Sequence, residues 1–551
     1  MVHRRRVFAA VSAVVTLSLL CSAQENRIEL RRDYNVKPVP FNNVRVEDNF
    51  WTPRLETSRK VTIPYCFEKC EQTDRISNFE KAAGLMHGPH EGIYFNDSDV
   101  YKVAEGAAYS LRVNPDAMMR LYLDKLITIM AAAQWEDGYL YTFYSVPARQ
   151  PEKLWTDIRS KHEQYCVGHM YEAAVAHYQV TGDKSFLDVA TKNADLICNV
   201  FGPGRRTDPP GHEEIEIGLC KLYRATGDEK YLEQAKFFLD QRGREGNRGP
   251  DGKGRIYGVY AQDHVPVTEQ TTAVGHSVRA AYLYTGMADV AALTGNMEYI
   301  RAIDAIWKDV VDTKLYVTGG IGASGGNEGF SGPYELPNMT AYCETCASIA
   351  NIFWNHRMFL MKGDGKYLDV LERVLYNAAL SGISMEGETF FYPNVLESIG
   401  QHTRSPWFGC ACCPSNVARF IPSVPGYTYA HKDSDVYVNL FIGGQTTIET
   451  ADNKIHLTQQ TEYPWQGTVN ISVEPLSLRE EKSETFAVCV RIPGWARNEC
   501  VPSDLYKFQK TVDSQARLKV NGEPISPEID KGFARIERKW QKGDTIELDL
   551  P

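Results

Sequence analysis

Four times between residues 160 and 375, an apolar stretch at helical spacing ends in a short polar hinge and starts again. The hinges are Thr181-Gly182-Asp183, Thr226-Gly227-Asp228, Thr294-Gly295-Asn296 and Lys362-Gly363-Asp364. Each leads into an aromatic-aliphatic pair: Phe186-Leu187, Tyr231-Leu232, Tyr299-Ile300 and Tyr367-Leu368. A glycine closes a helix because it accepts left-handed backbone, and an Asp or Asn caps the next helix by accepting its first free N–H groups. The pattern therefore predicts a series of antiparallel helix hairpins. The hinge glycines are separated by 45, 68 and 68 residues. That spacing is too uneven for a uniform open solenoid. It suits an (α/α) barrel, whose inner and outer helices close into a toroid and carry long functional loops.

The period changes near Pro422. Alternating apolar and polar positions run through Val436–Ile442, Val469–Val473, Thr485–Ile492, Ala534–Arg538 and Thr545–Leu550, with Gly, Pro, Asn and Asp between them. This is the signature of an antiparallel β-sandwich. The two patterns divide the chain into a helical domain over residues 24–425 and a β-domain over 426–551. Residues 38–52 also read as extended and are expected to add a strand to one of the two. A last strand running up to Pro551 leaves room for a further β-region.

The N-terminus has a pattern of its own. Arg4, Arg5 and Arg6 precede the short apolar run Val7–Leu20, and Cys21-Ser22-Ala23 offers small residues for cleavage. This is the form of a secretory signal peptide over residues 1–23, cleaved after Ala23, which predicts a periplasmic or secreted product. Cys21 raises a lipoprotein alternative, but Leu20 is a poor neighbour for a lipidated cysteine. The apolar run is too short for a membrane span, and no other segment reads as one. The net charge of −10 and the lack of a long basic run after residue 6 argue against a nucleic-acid partner.

Export sharpens the question of the cysteines. Of 13, twelve lie beyond residue 23, and Cys410, Cys412 and Cys413 fall within four residues. Adjacent cysteines bridge each other only with strain. Glu344, Cys346, Cys412 and Cys413 form a reasonable tetrahedral donor set for Zn²⁺. Cys343 with Cys346, and Cys410 with Cys412, are competing pairs, and buried free thiols are the competing explanation. A metal-held thiolate can itself be a nucleophile, and attack on a sugar then needs a general acid. Nearby carboxylates are Glu328, Glu335 and Glu372. Glu328 lies in a glycine-rich loop, Gly319 to Gly329, expected to let backbone approach a ligand. That loop lacks the Walker lysine and the dinucleotide spacing.

His162, Cys166 and His169 share one face if their segment is helical, and could form a separate metal site or pocket groups. His212 follows Pro209-Pro-Gly at a loop-to-helix entry, and His276 follows Gly275; neutral imidazoles at the inner ends of barrel helices suit hydrogen bonds to sugar hydroxyls. Gln134-x-x-Asp137-Gly138-Tyr139-Leu140 reads either as a pocket loop or as a turn.

At these residues the chain resembles the bacterial β-L-arabinofuranosidases of glycoside hydrolase family 127, and less closely family 146. The resemblance covers about residues 40–551. Its anchors are Gly319-Gly-Ile-Gly, Tyr334-Glu-Leu-Pro-Asn, Ala341-Tyr-Cys-Glu-Thr-Cys-Ala, Cys410-Ala-Cys-Cys-Pro-Ser-Asn, His162-Glu-Gln-Tyr-Cys-Val-Gly-His and Arg491-Ile-Pro-Gly-Trp. The resemblance implies an (α/α)₆ barrel followed by β-sandwich domains. It implies Zn²⁺ on Glu344, Cys346, Cys412 and Cys413, with Cys412 as nucleophile and Glu328 as acid/base. It places Glu372, Tyr392 and the histidines, among them His162, His169, His212 and His276, at the sugar pocket. The implied activity is exo-acting, retaining release of terminal β-L-arabinofuranose from plant-type glycans. Two alternatives stand beside it: the same chemistry on another L-furanoside, such as the branched acidic sugar of pectin, and a noncatalytic glycan-binding protein with a structural zinc.

Overall fold

The computed structural model describes residues 32–244, 257–450, 452–476, 485–511, 513 and 515–551. The expected export segment, residues 1–23, lies outside the described residues.

Among the described residues, twelve helices form the two layers of the first domain, with shorter helices such as Arg75–Ala82 between them: α1 (Ile63–Gln72), α2 (Asp97–Val113), α3 (Ala117–Ala133), α4 (Glu163–Thr181), α5 (Ser185–Val200), α6 (Ile215–Thr226), α7 (Glu229–Gln241), α8 (Ser277–Thr294), α9 (Met297–Thr313), α10 (Thr345–Lys362), α11 (Lys366–Val374) and α12 (Cys412–Phe420). The even-numbered helices form a closed ring, because α2 packs on α4, α4 on α6, α6 on α8, α8 on α10, α10 on α12, and α12 back on α2. The odd-numbered helices lie outside them. This is an (α/α)₆ barrel.

The two layers differ as their environments demand. In α8 every residue from Ser277 to Leu293 is buried. In α9 burial follows one stripe, Tyr299, Ala302, Ile303, Ile306, Trp307, Val310 and Val311, which is the spacing of an amphipathic helix on a core. All four hinge glycines take left-handed backbone, with φ of 72°, 74°, 72° and 64°. The next residue accepts an early N–H of the following helix in every case, as the cap itself for Asp228 and Asn296 and from one position before it for Asp183 and Asp364: the N–H groups are those of Ser185, Lys230, Glu298 and Lys366, at 2.8, 3.2, 2.8 and 3.1 Å in chain order. Ring closure depends on Gly106, since a Cβ there would lie 2.2 Å from the Ala418 carbonyl oxygen of α12.

Two sheets follow the barrel. The strands are β1 (Lys37–Pro38), β2 (Val44–Val46), β3 (Tyr429–Lys432), β4 (Asp435–Val438), β5 (Gly444–Glu449), β6 (Lys454–Thr461), β7 (Thr468–Pro475), β8 (Thr485–Arg491), β9 (Arg517–Val520), β10 (Glu523–Ile525), β11 (Ile529–Asp530), β12 (Phe533–Lys539) and β13 (Asp544–Asp549). Their order is β1-β3-β4-β8-β12-β11 in one sheet and β10-β9-β13-β7-β6-β5-β2 in the other. Pairing is antiparallel except between β4 and β8. The inward residues, including Val436, Ile448, Leu457, Ile471 and Val488, form one apolar core.

Two details differ from the sequence reading, and one that it left open is decided. The run Val436–Ile442 stops as a strand at Val438, where the chain turns and the Asn439 N–H bonds to the Thr428 carbonyl at 2.9 Å. Strands β3, β5, β6, β9, β10 and β11 were not read; in β5 and β6, Thr, Gln and His fill most of the positions. The extended N-terminal segment serves the sandwich, with β1 on β3 and β2 on β5.

Glu372 joins the two domains and does not line the barrel cavity, which corrects the placement implied by the resemblance. It lies on α11 and accepts from Arg491 Nη2 at 2.6 Å and from the Tyr463 hydroxyl at 2.9 Å. Arg491 is fully buried, and its Nη1 meets Asp369 at 2.8 Å. Removing one partner of a buried pair leaves an uncompensated charge. Arg491→Ala is therefore expected to cost ~3–5 kcal/mol of stability. Chemical denaturation checks this, and an unchanged unfolding midpoint would refute it.

Candidate active site

In this barrel the N-terminal ends of all six inner helices surround one cavity. Tyr94 and Phe95 precede α2, His162 and Tyr165 open α4, and His212 precedes α6. His276 and Arg279 open α8, Glu344 and Cys346 open α10, and Cys410 and Cys412 open α12. These residues line a cavity of about 520 Å³, together with Tyr260, Glu328 and Tyr392 from the loops. Helix N-termini carry partial positive charge and free N–H groups, so negative charge is favoured at their convergence.

The strongest cluster is the sulfur-carboxylate set. The donor atoms of Glu344, Cys346, Cys412 and Cys413 all lie within 4.8 Å of one another. Cys346 Sγ is 3.4 Å from Cys413 Sγ, and the Cys412 and Cys413 sulfurs are 3.9 Å apart. Each of the latter two lies 3.6 Å from Glu344 Oε1. These separations far exceed a disulfide bond, and all twelve described cysteines are free. Burial pushes the Glu344 carboxyl well above the usual range, with Cys412 and Glu328 adding to it. Its Oε2 is buried with no hydrogen-bond partner. Three thiols and a buried carboxylate at such distances suit a bound cation, which would supply the missing charge and partner. Cys346 and Cys412 both line the cavity, and Cys412 is the more exposed, at 9 % against 2 %, while Cys413 is fully buried.

Glu328 faces the same cavity on the loop before α10. His276 caps α8 by accepting the N–H groups of Val278 and Arg279 at Nδ1, at 3.2 and 3.4 Å. That fixes the tautomer, so Nε2 carries the proton and donates to Glu328 Oε2 at 2.9 Å. Burial holds His276 below its ordinary range, and the ring is neutral. The hydrogen bond from His276 holds the Glu328 carboxyl below its usual value, against the effect of burial.

Three glycines of this loop serve packing. A Cβ at Gly319 would meet Val374, at Gly322 the Ser277 side chain, and at Gly329 the Gly275 carbonyl. They admit α11 and the start of α8, which brings Glu328 against His276.

The remaining predicted residues divide. His162 Nδ1 donates to the Ser160 carbonyl at 2.6 Å, and its ring stacks on Phe95 at 4.6 Å. His212 Nδ1 donates to the Glu213 carbonyl at 2.8 Å. Each of these imidazoles thus keeps Nε2 as an acceptor. Tyr392 places its hydroxyl 3.8 Å from Cys410 Sγ. His169 is not at the cavity. It is fully buried, with Nδ1 3.0 Å from Glu214 Oε1 and 3.7 Å from Glu172 Oε2. Nor do His162, Cys166 and His169 make one metal site. His162 has left-handed backbone and stands outside the helix, and the Cys166 thiol points at the Phe95 carbonyl.

Sequence reasoning missed Arg279 and the aromatic wall. The buried Arg279 guanidinium donates to the Gly211 carbonyl, lies 3.5 Å from His162 Nε2, and sits 4.9 Å over the Tyr260 ring. One signal was present: Arg279 lies one helical turn after His276, on the same helix face.

A helical barrel whose cavity joins paired carboxylate and thiol chemistry to neutral imidazoles and aromatic walls is the framework of a glycoside hydrolase. Residues 43–426 match the Beta-L-arabinofuranosidase, GH127 catalytic domain, and residues 435–551 match the GH127 middle domain. The chain belongs to glycoside hydrolase family 127. It is 34 % identical to a non-reducing end β-L-arabinofuranosidase of Bifidobacterium longum subsp. longum, over 92 % of this chain and 81 % of that protein. Among solved structures it is similar to the GH127 β-arabinofuranosidase BT3674, with 48 % identity, a TM-score of 0.88, and coverage of 94 % of this chain and 81 % of the other. A GH127 β-L-arabinofuranosidase from Geobacillus stearothermophilus T6 is 39 % identical with a TM-score of 0.85, covering 92 % and 81 % of the two chains.

Proposed function

We propose that this chain is an exported, exo-acting retaining β-L-arabinofuranosidase acting on plant-type glycans. Cys412 is the nucleophile, Glu328 the acid/base, and Glu344, Cys346, Cys412 and Cys413 the holders of one Zn²⁺. The observation that carries this reading is that Cys412 and Glu328 face a single cavity, with Cys412 the most exposed sulfur of its cluster. The relatives at 34–48 % identity, named as arabinofuranosidases, support the sugar. The Arg4–Arg6, Val7–Leu20 and Ala23 pattern supports export.

Zinc is supported by the dimensions of the cluster. Tetrahedral donors at zinc–sulfur and zinc–oxygen bond lengths are about 3.5–3.8 Å apart. Four of the six separations here are 3.4–3.9 Å, and all six lie within 4.8 Å. When bound, Zn²⁺ supplies the positive charge that keeps the sulfurs deprotonated near neutral pH.

The protein groups account for the proton traffic. Cys412 Sγ attacks the anomeric carbon as the bond from that carbon to the leaving oxygen breaks. Glu328 delivers a proton to that oxygen. It must be protonated at that moment, and a sugar that displaces water from the cavity drives its carboxyl upward. His276 holds Oε2 and so fixes the orientation of the carboxyl. Glu328 then takes a proton from water, which attacks the same carbon and releases the sulfur. The acceptor nitrogens of His162 and His212 suit hydroxyl donors of the ring.

Elemental analysis of the purified protein is expected to give one zinc per chain, and chelation to abolish hydrolysis of an aryl β-L-arabinofuranoside. The first sugar released should keep the β configuration by NMR. A zinc-free enzyme with full activity, or a first product of α configuration, would overturn the reading.

A further inference from the structure

Of the four donors proposed above, Glu344 and Cys346 start one helix, and Cys412 and Cys413 start another. The second pair arrives on an irregular segment, residues 406–411, which no regular element stiffens. We propose that the buried Arg75–Asp99 ion pair is the positioning device that holds this thiol-bearing segment against α2. The proposal rests on the roles given to Cys412 and Cys413 above.

Arg75 begins the helix Arg75–Ala82, and Asp99 lies in the first turn of α2. Arg75 Nε meets Asp99 Oδ2 at 2.8 Å, with the two side chains 3 % and 5 % exposed. Both groups then reach the thiol segment, from opposite ends. Arg75 Nη2 donates to the Gly409 carbonyl at 2.9 Å, just before Cys410. Asp99 Oδ1 accepts from the Ser415 hydroxyl at 3.2 Å, just after Cys413. Ser415 Oγ also contacts the carbonyls of Ala411 at 2.9 Å and Cys412 at 3.1 Å. The third guanidinium nitrogen is held by Thr73 Oγ1 at 2.6 Å, and the Trp407 ring lies 5.5 Å below the guanidinium carbon.

One ion pair therefore grips the segment on both sides of Cys410–Cys413. Only a planar fork supplies Asp99, Gly409 and Thr73 at once, and an ammonium cannot. Neither Arg75 nor Asp99 lines the cavity or belongs to the donor cluster. Their role is to fix where the sulfurs stand. The cost of a misplaced sulfur falls on the chemical step, because attack needs near-contact geometry.

The test uses Arg75→Lys, Asp99→Asn and Ser415→Ala in the full-length zinc enzyme. The readouts are kcat and KM on an aryl β-L-arabinofuranoside, and the rate of zinc transfer to a chromogenic chelator. Arg75→Lys and Asp99→Asn are expected to lower kcat by ~10–100-fold and to speed zinc transfer comparably, with KM little changed. The double variant should be no worse than the weaker single one, since both break one device. Ser415→Ala removes a single oxygen and is expected to shift both readouts a few-fold the same way. It decides the matter if the ion-pair variants do not fold. Wild-type kcat and zinc retention in folded variants, a loss confined to KM, or additive losses would overturn the proposal. The underlying reading fails separately, if the wild-type enzyme holds no zinc or works without Cys412.

Discussion

A Cys412→Ala variant is expected to lose roughly 10⁴-fold or more of kcat, the scale on which removal of a nucleophile acts. That loss alone does not separate a nucleophile from a ligand, because Cys412 is proposed to be both. Covalency separates them. An epoxide or bromoacetamide analogue of β-L-arabinofuranose is expected to label Cys412 and to protect it from simple alkylating agents, with the adduct located by peptide mass spectrometry. The geometry favours this sulfur, since Cys413 is fully buried and Cys346 nearly so. Labelling that falls on a carboxylate such as Glu344, with Cys412 untouched, would reduce Cys412 to a ligand and restore a two-carboxylate mechanism.

Glu328→Gln is expected to lower turnover of natural glycans by ~10²–10⁴-fold, the usual contribution of a positioned acid. The loss should depend on the leaving group. An activated aryl glycoside needs little protonation and should be attacked at a rate closer to wild type. The glycosyl-enzyme would then accumulate, because no base activates water, and azide should restore turnover by attacking without one. Pre-steady-state bursts and azide titration measure these effects. Natural-substrate turnover equal to wild type would remove Glu328 from the mechanism. The amide keeps the contact with His276, whose Nε2–H can donate to the amide oxygen, so the loop and helix cap should persist.

Much of the architecture was written locally. The four hinge glycines and their capping partners need no tertiary contact to declare themselves, because left-handed backbone and free helix N–H groups are properties of a few neighbouring residues. The sandwich strands with strong alternation were legible for the same reason. Strands β5 and β6 were not, since their Thr, Gln and His positions take their strand conformation from pairing with each other and with β7.

The candidate site divides along the same line. The cysteine cluster was visible in the sequence because Cys412 and Cys413 are adjacent, and Glu344 and Cys346 nearly so. Adjacency in the chain alone keeps the members of each pair close; that each pair stands at a helix start comes from the structure. Which of those sulfurs meets a ligand was not legible, because exposure depends on how α10 and α12 meet across the ring. His169 and Glu372 show the limit most directly. Each has the right chemistry for a sugar pocket, yet His169 faces a buried carboxylate pair and Glu372 faces Arg491 from the other domain. The sequence determined the hinges, the helix starts and the residue types that gather there. Only the closed ring decided that six N-termini converge on one cavity, and which side chains point into it, because that outcome is set by packing between segments far apart in the chain.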